Sequence, residues 1–132
     1  MEKKTSNDLA NYRLERAKLD LADAELLFQE NSLLSANNRA YYAIFHALRA
    51  VLATARIDFK KHKDVIAYFN QYYVKTEIFP KIISKKISIA SRTREDSDYD
   101  DEYIADASQT QSQIESAQYI IKLVEEYLQK LE

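Results

Sequence analysis

The sequence predicts an all-α protein, a four- to five-helix up-and-down bundle, on three observations. The chain of 132 residues contains no glycine and one proline, where average usage would supply roughly nine glycines. Tight hairpins and phosphate-cradling loops need glycine, so the Walker and dinucleotide-binding motifs are excluded. Apolar residues recur at three- and four-residue spacing over long stretches, which is typical of amphipathic helices. The length suits a single domain, 1–132, with one hydrophobic core.

Two long helices are predicted in the first half of the chain. The first runs from about residue 6 to 30, and its apolar positions are Ala10, Leu14, Ala17, Leu21, Ala24 and Phe28. A polar interruption follows, where Ser32 or Ser35 can cap the next helix. The second helix ends near Arg56 or Ile57, before a polar joint.

Three further helices are predicted in the second half. A short one covers about 63–74, and Pro80 starts the next, because proline suits the first turn of a helix. The segment "REDSDYDD" (94–101) predicts a break, with Ser97 or Asp98 as cap of the last helix, about 101–131. The seam of that helix follows heptad spacing, as in an antiparallel bundle: Ala107, Thr110, Ile114, Ala117, Ile121, Val124, Leu128 and Leu131.

Composition also bears on cofactors and cell compartment. Cysteine is absent and histidine occurs twice, so disulfides and thiolate metal sites are excluded and a histidine-rich zinc site is not expected. No metal and no other cofactor is predicted. The N-terminal segment lacks a signal-peptide apolar core, and no stretch approaches the ~18 to 20 apolar residues of a membrane span. We therefore expect a cytoplasmic protein that does not enter the membrane.

Charge is uneven along a chain whose formal net charge is −2. Residues 78–94 carry five cations and no acid, and residues 95–106 carry seven acids and no cation. One interpretation is a basic helix end followed by an acidic helix start, which complements the helix dipoles. The alternative is a local basic patch for a polyanion or for an acidic partner.

Arg39 and His46 share one side of the second helix. A helix advances about 100° per residue, so residues seven apart lie about 20° from each other. Their side also carries Tyr42, Ala43, Ala50 and Ala53. The opposite side carries the predicted core stripe of Tyr41, Ile44, Leu48, Val51, Leu52 and Ala55. Small residues around the pair indicate that another helix packs there, either of this chain or of a second copy in a twofold dimer.

Such a pair permits one specific chemistry. RNA carries its own nucleophile, the 2′-hydroxyl, and its cleavage needs an acid or base near neutral pH and a cation beside the phosphorane. Histidine can supply the first and the guanidinium fork of arginine the second. Spacing alone favours the structural alternative, a surface charge and a packed ring on one helix, because Arg-x6-His pairs occur by chance in many helices.

Four blocks of sequence, in order, resemble the HEPN domain family. They are "NNRAYYAIFHALRAVL" (37–52), "KKHKDVIAYF" (60–69), "VKTEIFPKII" (74–83) and "SRTREDSDYDDEY" (91–103). The first matches the branch whose members carry "RAYYAIFHA". The last matches the Arg-x3-Asp-Tyr signature of that branch with Arg94, Asp98 and Tyr99.

The resemblance implies a helical bundle that dimerises. Many members are metal-independent endoribonucleases with an Arg-x4-6-His motif at the dimer interface, which would make Arg39 the phosphate-stabilising residue and His46 the acid/base. Asn38 and Tyr42 would support them. Many members are toxins neutralised by a nucleotidyltransferase antitoxin. Others are thought to bind nucleotide or RNA without cleavage, and that adaptor role is the alternative function here.

The chain departs from the family pattern at two positions. Active members often carry a polar residue directly after the arginine, where this chain has Ala40. Some toxin branches carry a tyrosine two residues after the histidine that the partner nucleotidylates, and here Leu48 stands in its place. The first departure bears on catalysis and the second on control by that modification.

Four other residues are candidates for substrate contact, each with a structural alternative. His62 is expected to be a surface histidine in a basic joint, and its alternative is a ligand contact. Arg94, Asp98 and Tyr99 are expected to form an ion pair between helices beside a buried tyrosine, and their alternative is direct substrate binding.

Overall fold

The computed structural model describes residues 6–131, and the predicted domain 1–132 extends beyond this range at both ends. In the described range the chain forms five α-helices and one π-helical turn, and no strand. They are α1 (Ser6–Gln29), α2 (Leu33–Thr54), α3 (His62–Phe69), π1 (Asn70–Val74), α4 (Ile82–Tyr99) and α5 (Ala107–Lys130). The all-α prediction is confirmed.

The second helix, α2, lies at the centre of the bundle, because alanines let its neighbours approach closely. Alanines at three- and four-residue spacing are fully buried along it, and α1 presents fully buried alanines in return. These alanines are Ala36, Ala40, Ala43, Ala47 and Ala50 on α2, and Ala10, Ala17 and Ala24 on α1. Larger core side chains such as Tyr41, Ile44 and Leu48 fill the remaining space. Ala55, predicted for the core, is exposed because the helix ends at Thr54.

Helix ends are closed without glycine. Asn31, Arg56 and Glu77 adopt left-handed backbone conformations, with φ of 62°, 60° and 65°. After α2, the amide of Ile57 donates to the carbonyl of Leu52 at 3.0 Å, which is the reverse-turn bond of a Schellman motif. A left-handed conformation costs a residue with a Cβ about 1–2 kcal/mol of conformational free energy. The backbone at each of these ends is therefore strained.

The predicted break at 94–101, with Ser97 or Asp98 as the next cap, is wrong. Helix α4 continues to Tyr99, and the cap of α5 is Asp106, whose side chain accepts from the amide of Ser108 at 3.1 Å. Hydrogen bonds from α2 hold the last turn of α4 in place: Asn37 Nδ2 donates to Ser97 Oγ at 3.0 Å, and Asn38 Nδ2 donates to Asp98 Oδ2 at 2.9 Å.

The boundary of α4 also overturns the dipole interpretation of the charge pattern. The first turn of α4 contains no acid and its last turn no base. Lys85 and Lys86 lie in its first half, and Glu95, Asp96 and Asp98 near its end. This order opposes the helix macrodipole. Tertiary contacts, rather than dipole complementarity, therefore stabilise this helix.

One narrow strip of α2 is not covered by its neighbours. It consists of Asn38, Arg39, Tyr42, His46 and Arg49, which are all partly exposed and lie within about 100° of the helix circumference. We call this strip the polar stripe. Contacts to α1 border it on one side, and contacts to α3 and α4 border it on the other.

Candidate active site

Arg39 and His46 converge on a third side chain, Asp20 of α1. Arg39 Nη1 lies 3.3 Å from Asp20 Oδ1, and His46 Nε2 lies 3.6 Å from Asp20 Oδ2. The Asp20 side chain is 7% exposed, that of His46 20% and that of Arg39 36%. A buried carboxylate thus lies beside two partly exposed groups.

Sequence reasoning missed Asp20, although the pattern contained a signal. Asp20 follows Ala17 by three residues and precedes Ala24 by four, so it falls at the edge of the apolar face of α1. A carboxylate at such a position is costly to bury unless it is paired. Asp20 Oδ2 makes no hydrogen bond within the described residues. The nearby His46 ring is thus the group placed to become its partner.

Arg39 is held by two further neighbours from the predicted set. Asn38 Oδ1 accepts from Arg39 Nε at 3.0 Å and from Nη2 at 2.6 Å. The guanidinium carbon also lies 5.1 Å from the centroid of the Tyr42 ring, in range for a cation–π contact. The structure therefore brings Asn38, Arg39, Tyr42 and His46 together and limits the directions that the arginine can take.

The pKa of His46 is lowered from its ordinary value, chiefly by burial. Asp20 acts in the opposite direction and raises it, whereas the nearby Arg49, Arg16 and Arg13 lower it. The ring is consequently neutral at neutral pH. A neutral imidazole can accept a proton, which a general base requires.

Arginine side chains surround the end of the polar stripe that carries Arg49. Arg13 Nη2 and Arg49 Nη2 both contact Asp58 Oδ2, at 3.1 Å and 3.0 Å. Arg13 also donates through Nη1 to the carbonyl of Arg49 at 3.2 Å. Two arginines thus share one carboxylate. The region around His46 is locally basic although the whole chain has a slight negative charge.

His62 is not the surface histidine that was predicted. It begins α3, stacks on the Phe45 ring with centroids 4.0 Å apart, and its Nδ1 lies 3.0 Å from Tyr41 Oη. Burial lowers its pKa, followed by the charges of Arg94 and Arg49. His62 therefore lines the far side of the stripe and does not reach the Asp20 contacts.

The predicted ion pair between helices, with a buried tyrosine, is also wrong. Arg94 and Asp98 belong to one helix, with Nη1 and Oδ2 3.8 Å apart, and Tyr99 is 75% exposed. The reason is the continuation of α4, which places residues four apart on one face. Arg94 instead lies over the Tyr41 ring, 4.6 Å from its centroid.

Within residues 6–131, no group of three histidine or acidic side chains is arranged to hold a metal ion. In the same range, no helix is both long and apolar enough to cross a lipid bilayer.

Comparisons with known proteins match nearly the whole chain. A family model described as the HEPN domain matches residues 10–127. A protein of Thermotoga maritima named "UPF0332 protein" is 31% identical over 123 residues, which cover 93% of each chain. Two proteins of Methanocaldococcus jannaschii are named "Putative toxin". One is 39% identical over 80 residues, 58% of this chain and 60% of the relative. The other is 31% identical over 87 residues, 66% of this chain and 59% of the relative.

Proposed function

We propose that this chain, which belongs to the HEPN family, is a toxin-like endoribonuclease that cleaves RNA in the cytoplasm without a metal ion. One observation carries the proposal: Arg39 and His46 lie on the same exposed stripe and both contact the buried carboxylate of Asp20. The names of the two Methanocaldococcus relatives support the toxin-like role.

The chemistry follows from the two exposed groups. His46, neutral at neutral pH, accepts the proton of the RNA 2′-hydroxyl as that oxygen attacks the adjacent phosphorus. The bond to the 5′-oxygen breaks, which leaves a 2′,3′-cyclic phosphate, and the departing oxygen takes a proton from an imidazolium. Arg39 faces the charge that develops on the phosphorane, where a guanidinium fork is most useful.

Asp20 acts as a positioning residue. Its carboxylate contacts Arg39 and lies near the ring of His46, so it limits the orientations of both. A buried carboxylate beside a histidine also stabilises the imidazolium that forms when the ring accepts a proton. Asn38 adds two contacts to Arg39 from the opposite direction.

A second copy of the chain would complete the site. On α1, Leu19 is 60% and Leu26 is 55% exposed, and residues seven apart form one line along a helix. This apolar line lies on the same helix as Asp20, on the side away from the core. Packing of two copies through it would bring two His46 rings to one cleft, one as base and one as acid.

A nucleotidyltransferase antitoxin is the proposed partner. Leu48, at the position that some toxin branches use for a modifiable tyrosine, is fully buried. Control through modification of that position is therefore not available to the folded chain. We propose that the antitoxin instead covers the polar stripe by direct binding.

One observation favours the alternative, an adaptor that binds RNA or nucleotide without cleavage. Ala40 is fully buried in a cluster with Ala24 and Ile114, so this chain has no polar group directly after Arg39. Asn38 contacts the guanidinium from the other side. The chain is expected to cleave RNA if Asn38 takes the role of the missing polar residue, and only to bind it if Asn38 does not.

The test is cleavage of varied RNAs in the presence of EDTA. Arg39→Ala and His46→Ala are expected to reduce cleavage by about 10²- to 10⁴-fold, the usual contribution of a general acid or base. Lys85→Ala, an exposed cation on α4, is the matched control and should cleave like the wild type. Equal cleavage by all four proteins would overturn the catalytic assignment. Binding of RNA by the wild type without cleavage would establish the adaptor function.

A further inference from the structure

The carboxylate of Asp58 occupies the donors of two arginines at the end of the polar stripe that carries Arg49. Arg49 Nε lies 3.4 Å from Asp58 Oδ1, and Arg49 Nη2 lies 3.0 Å from Asp58 Oδ2, so the guanidinium fork faces both carboxylate oxygens. Arg13 Nη2 adds a third contact, 3.1 Å from Oδ2. Parallel donors of this kind also recognise phosphate. The two arginines therefore form an oxyanion site that Asp58 fills.

The anion of this trio is more exposed than its cations. The side chain of Asp58 is 48% exposed, whereas that of Arg13 is 12% and that of Arg49 26% exposed. Asp58 belongs to the joint between α2 and α3, and the arginines belong to α1 and α2. Arg13 is further fixed by its bond to the carbonyl of Arg49, at 3.2 Å. The donors are thus set by two packed helices, and the loop carboxylate is the group that a ligand can displace.

A cleft of about 400 Å³ opens beside this carboxylate. Its lining residues are Phe45, Arg49, Asp58, Phe59, Lys60 and His62. Lys60 adds a third cation to the two arginines, against Asp58 as the acid of the cleft. An anion can therefore approach Asp58 through the cleft and meets an excess of positive charge there.

Asp58 compensates the two arginines incompletely. The pKa of Arg13 is lowered, chiefly by burial and next by the charge of Arg49. Asp58 raises it, but not enough to restore the ordinary value. A ligand with more negative charge than one carboxylate would stabilise the pair of arginines further.

The arginine pair lies close to the candidate acid/base. Arg49 follows His46 by three residues, which is about 4.5 Å along the helix axis. The pKa of His46 is lowered chiefly by burial, and against the effect of Asp20 the charges of Arg49 and Arg13 lower it further. A strand whose scissile phosphate lies beside His46 would therefore pass the arginine pair with another part of its backbone.

We propose that Arg13 and Arg49 bind a second phosphate of the RNA strand, and that Asp58 occupies this site until RNA displaces it. The inference rests on the proposed ribonuclease function, which places the strand along the polar stripe. It deepens that function by naming a substrate class, RNA that carries a phosphate beyond the scissile one. A dinucleoside monophosphate, which has the scissile phosphate alone, should be bound and cleaved poorly.

Binding of a 2′-O-methyl RNA hexamer tests the site without cleavage, because this probe lacks the attacking hydroxyl. Arg13→Gln and Arg49→Gln should each weaken binding, measured by fluorescence anisotropy, by about tenfold. Each should also reduce the slope of log K against log salt concentration by about one. Asp58→Asn removes the competing charge and should strengthen binding by about fivefold, the worth of an exposed ion pair. Lys18→Gln is the matched control, since Lys18 also lies on α1 but pairs with Glu125 of α5.

The backbone amide of Phe59 reports displacement directly, because it donates to Asp58 Oδ1 at 2.9 Å. In NMR titrations of the full chain, the hexamer should shift this amide. A 2′-O-methyl dinucleoside monophosphate should leave it unchanged. Asp58→Ser, whose hydroxyl can also accept from this amide, is a second variant and should strengthen hexamer binding as Asp58→Asn does.

Three results would overturn the proposal. The first is hexamer binding by both Asp58 variants that is no tighter than that of the wild type, which would make Asp58 a structural contact of the joint. The second is binding by Arg13→Gln and Arg49→Gln that equals binding by Lys18→Gln. The third is a Phe59 amide that the hexamer does not shift. If these binding effects appear but no RNA is cleaved in EDTA, the phosphate site stands and the ribonuclease function fails.

Discussion

The arginines at the two borders of the polar stripe, Arg39 and Arg94, make different main contacts. On the α1 border, Arg39 contacts a buried carboxylate, and the same carboxylate lies near His46. On the α4 border, Arg94 rests on aromatic rings, its nearest carboxylate is at 3.8 Å, and one of its donors has no partner in the described chain. Each arginine thus has one carboxylate partner, the buried Asp20 for Arg39 and the partly exposed Asp98 for Arg94.

A carboxylate and an aromatic ring constrain a guanidinium in different ways. A carboxylate fixes the direction of a side chain but occupies the donors that a ligand would use. Aromatic rings fix the plane of a guanidinium and leave its donors available. The α1 border therefore suits groups that must act from a fixed position.

Asp20→Asn, a substitution at the α1 border, is expected to have the largest effect on RNA cleavage. The substitution keeps shape and removes charge, so kcat of RNA cleavage should fall by about a hundredfold, less than the ~10⁴-fold seen for a closely bonded catalytic triad. Because Asp20 raises the pKa of His46, its loss should also move the acid limb of the pH–rate profile to lower pH. An unshifted profile with reduced kcat would point to a structural role alone.

Leu26→Asp tests whether RNA cleavage at the α1 border requires a second copy of the chain. A charge within the apolar line of α1 should raise the dimer dissociation constant by about thirtyfold or more, as at an interface hot spot. Cleavage should fall in parallel at low protein concentration. Sedimentation velocity gives the oligomeric state. Leu131→Asp, an exposed leucine after α5, is the matched control. A wild-type protein that is monomeric and fully active would contradict the shared cleft.

Acid should destabilise the fold through the histidine of each border. The pKa of both His46 and His62 is lowered in the folded chain, whereas the unfolded chain titrates near 6.5. The stabilisation is therefore fully present above about pH 6.5 and is lost as pH falls below it toward the folded values. Urea unfolding at pH 7.5 and pH 5.5 measures the loss. His46→Gln and His62→Gln should each reduce it, and a loss unchanged in both variants would remove the histidines as its cause.

Arg56→Gly is expected to change the free energy of unfolding only slightly. It is a control for the substitutions at the polar stripe. Arg56 is left-handed, with φ of 60°, and glycine relieves that strain at some cost in chain entropy. The free energy of unfolding should rise by about 0.5–1 kcal/mol, measured by urea denaturation. Cleavage should stay at the wild-type level. A change in cleavage would mean that activity follows global stability rather than the contacts of the α1 border.

Most of the fold could be predicted from periodicity, because α1, α2 and α5 each bury a regular apolar face. The end of α4 could not, since Ser97 and Asp98 are held in the helix by asparagines sixty positions earlier. Local residue preferences favour a cap at such serines and aspartates. Contacts from a distant helix prevail over that preference here.

The candidate site was predictable only where it lies on one helix. The spacing of Arg39 and His46 and the family resemblance put both on one face of α2. Asp20 comes from another helix, so its contacts depend on how α1 packs, which spacing within α2 does not encode. The same holds for Arg94, whose contact with the Tyr41 ring depends on how α4 packs against α2.

Burial of Asp20 against α2 also has a consequence for the order in which the protein is made. Asp20, Arg39 and His46 lie in two adjacent helices, α1 and α2, which are synthesised before the helix that carries Arg94. If the chain acts as a toxin, an antitoxin that recognises the α1–α2 hairpin can therefore engage it before synthesis is finished.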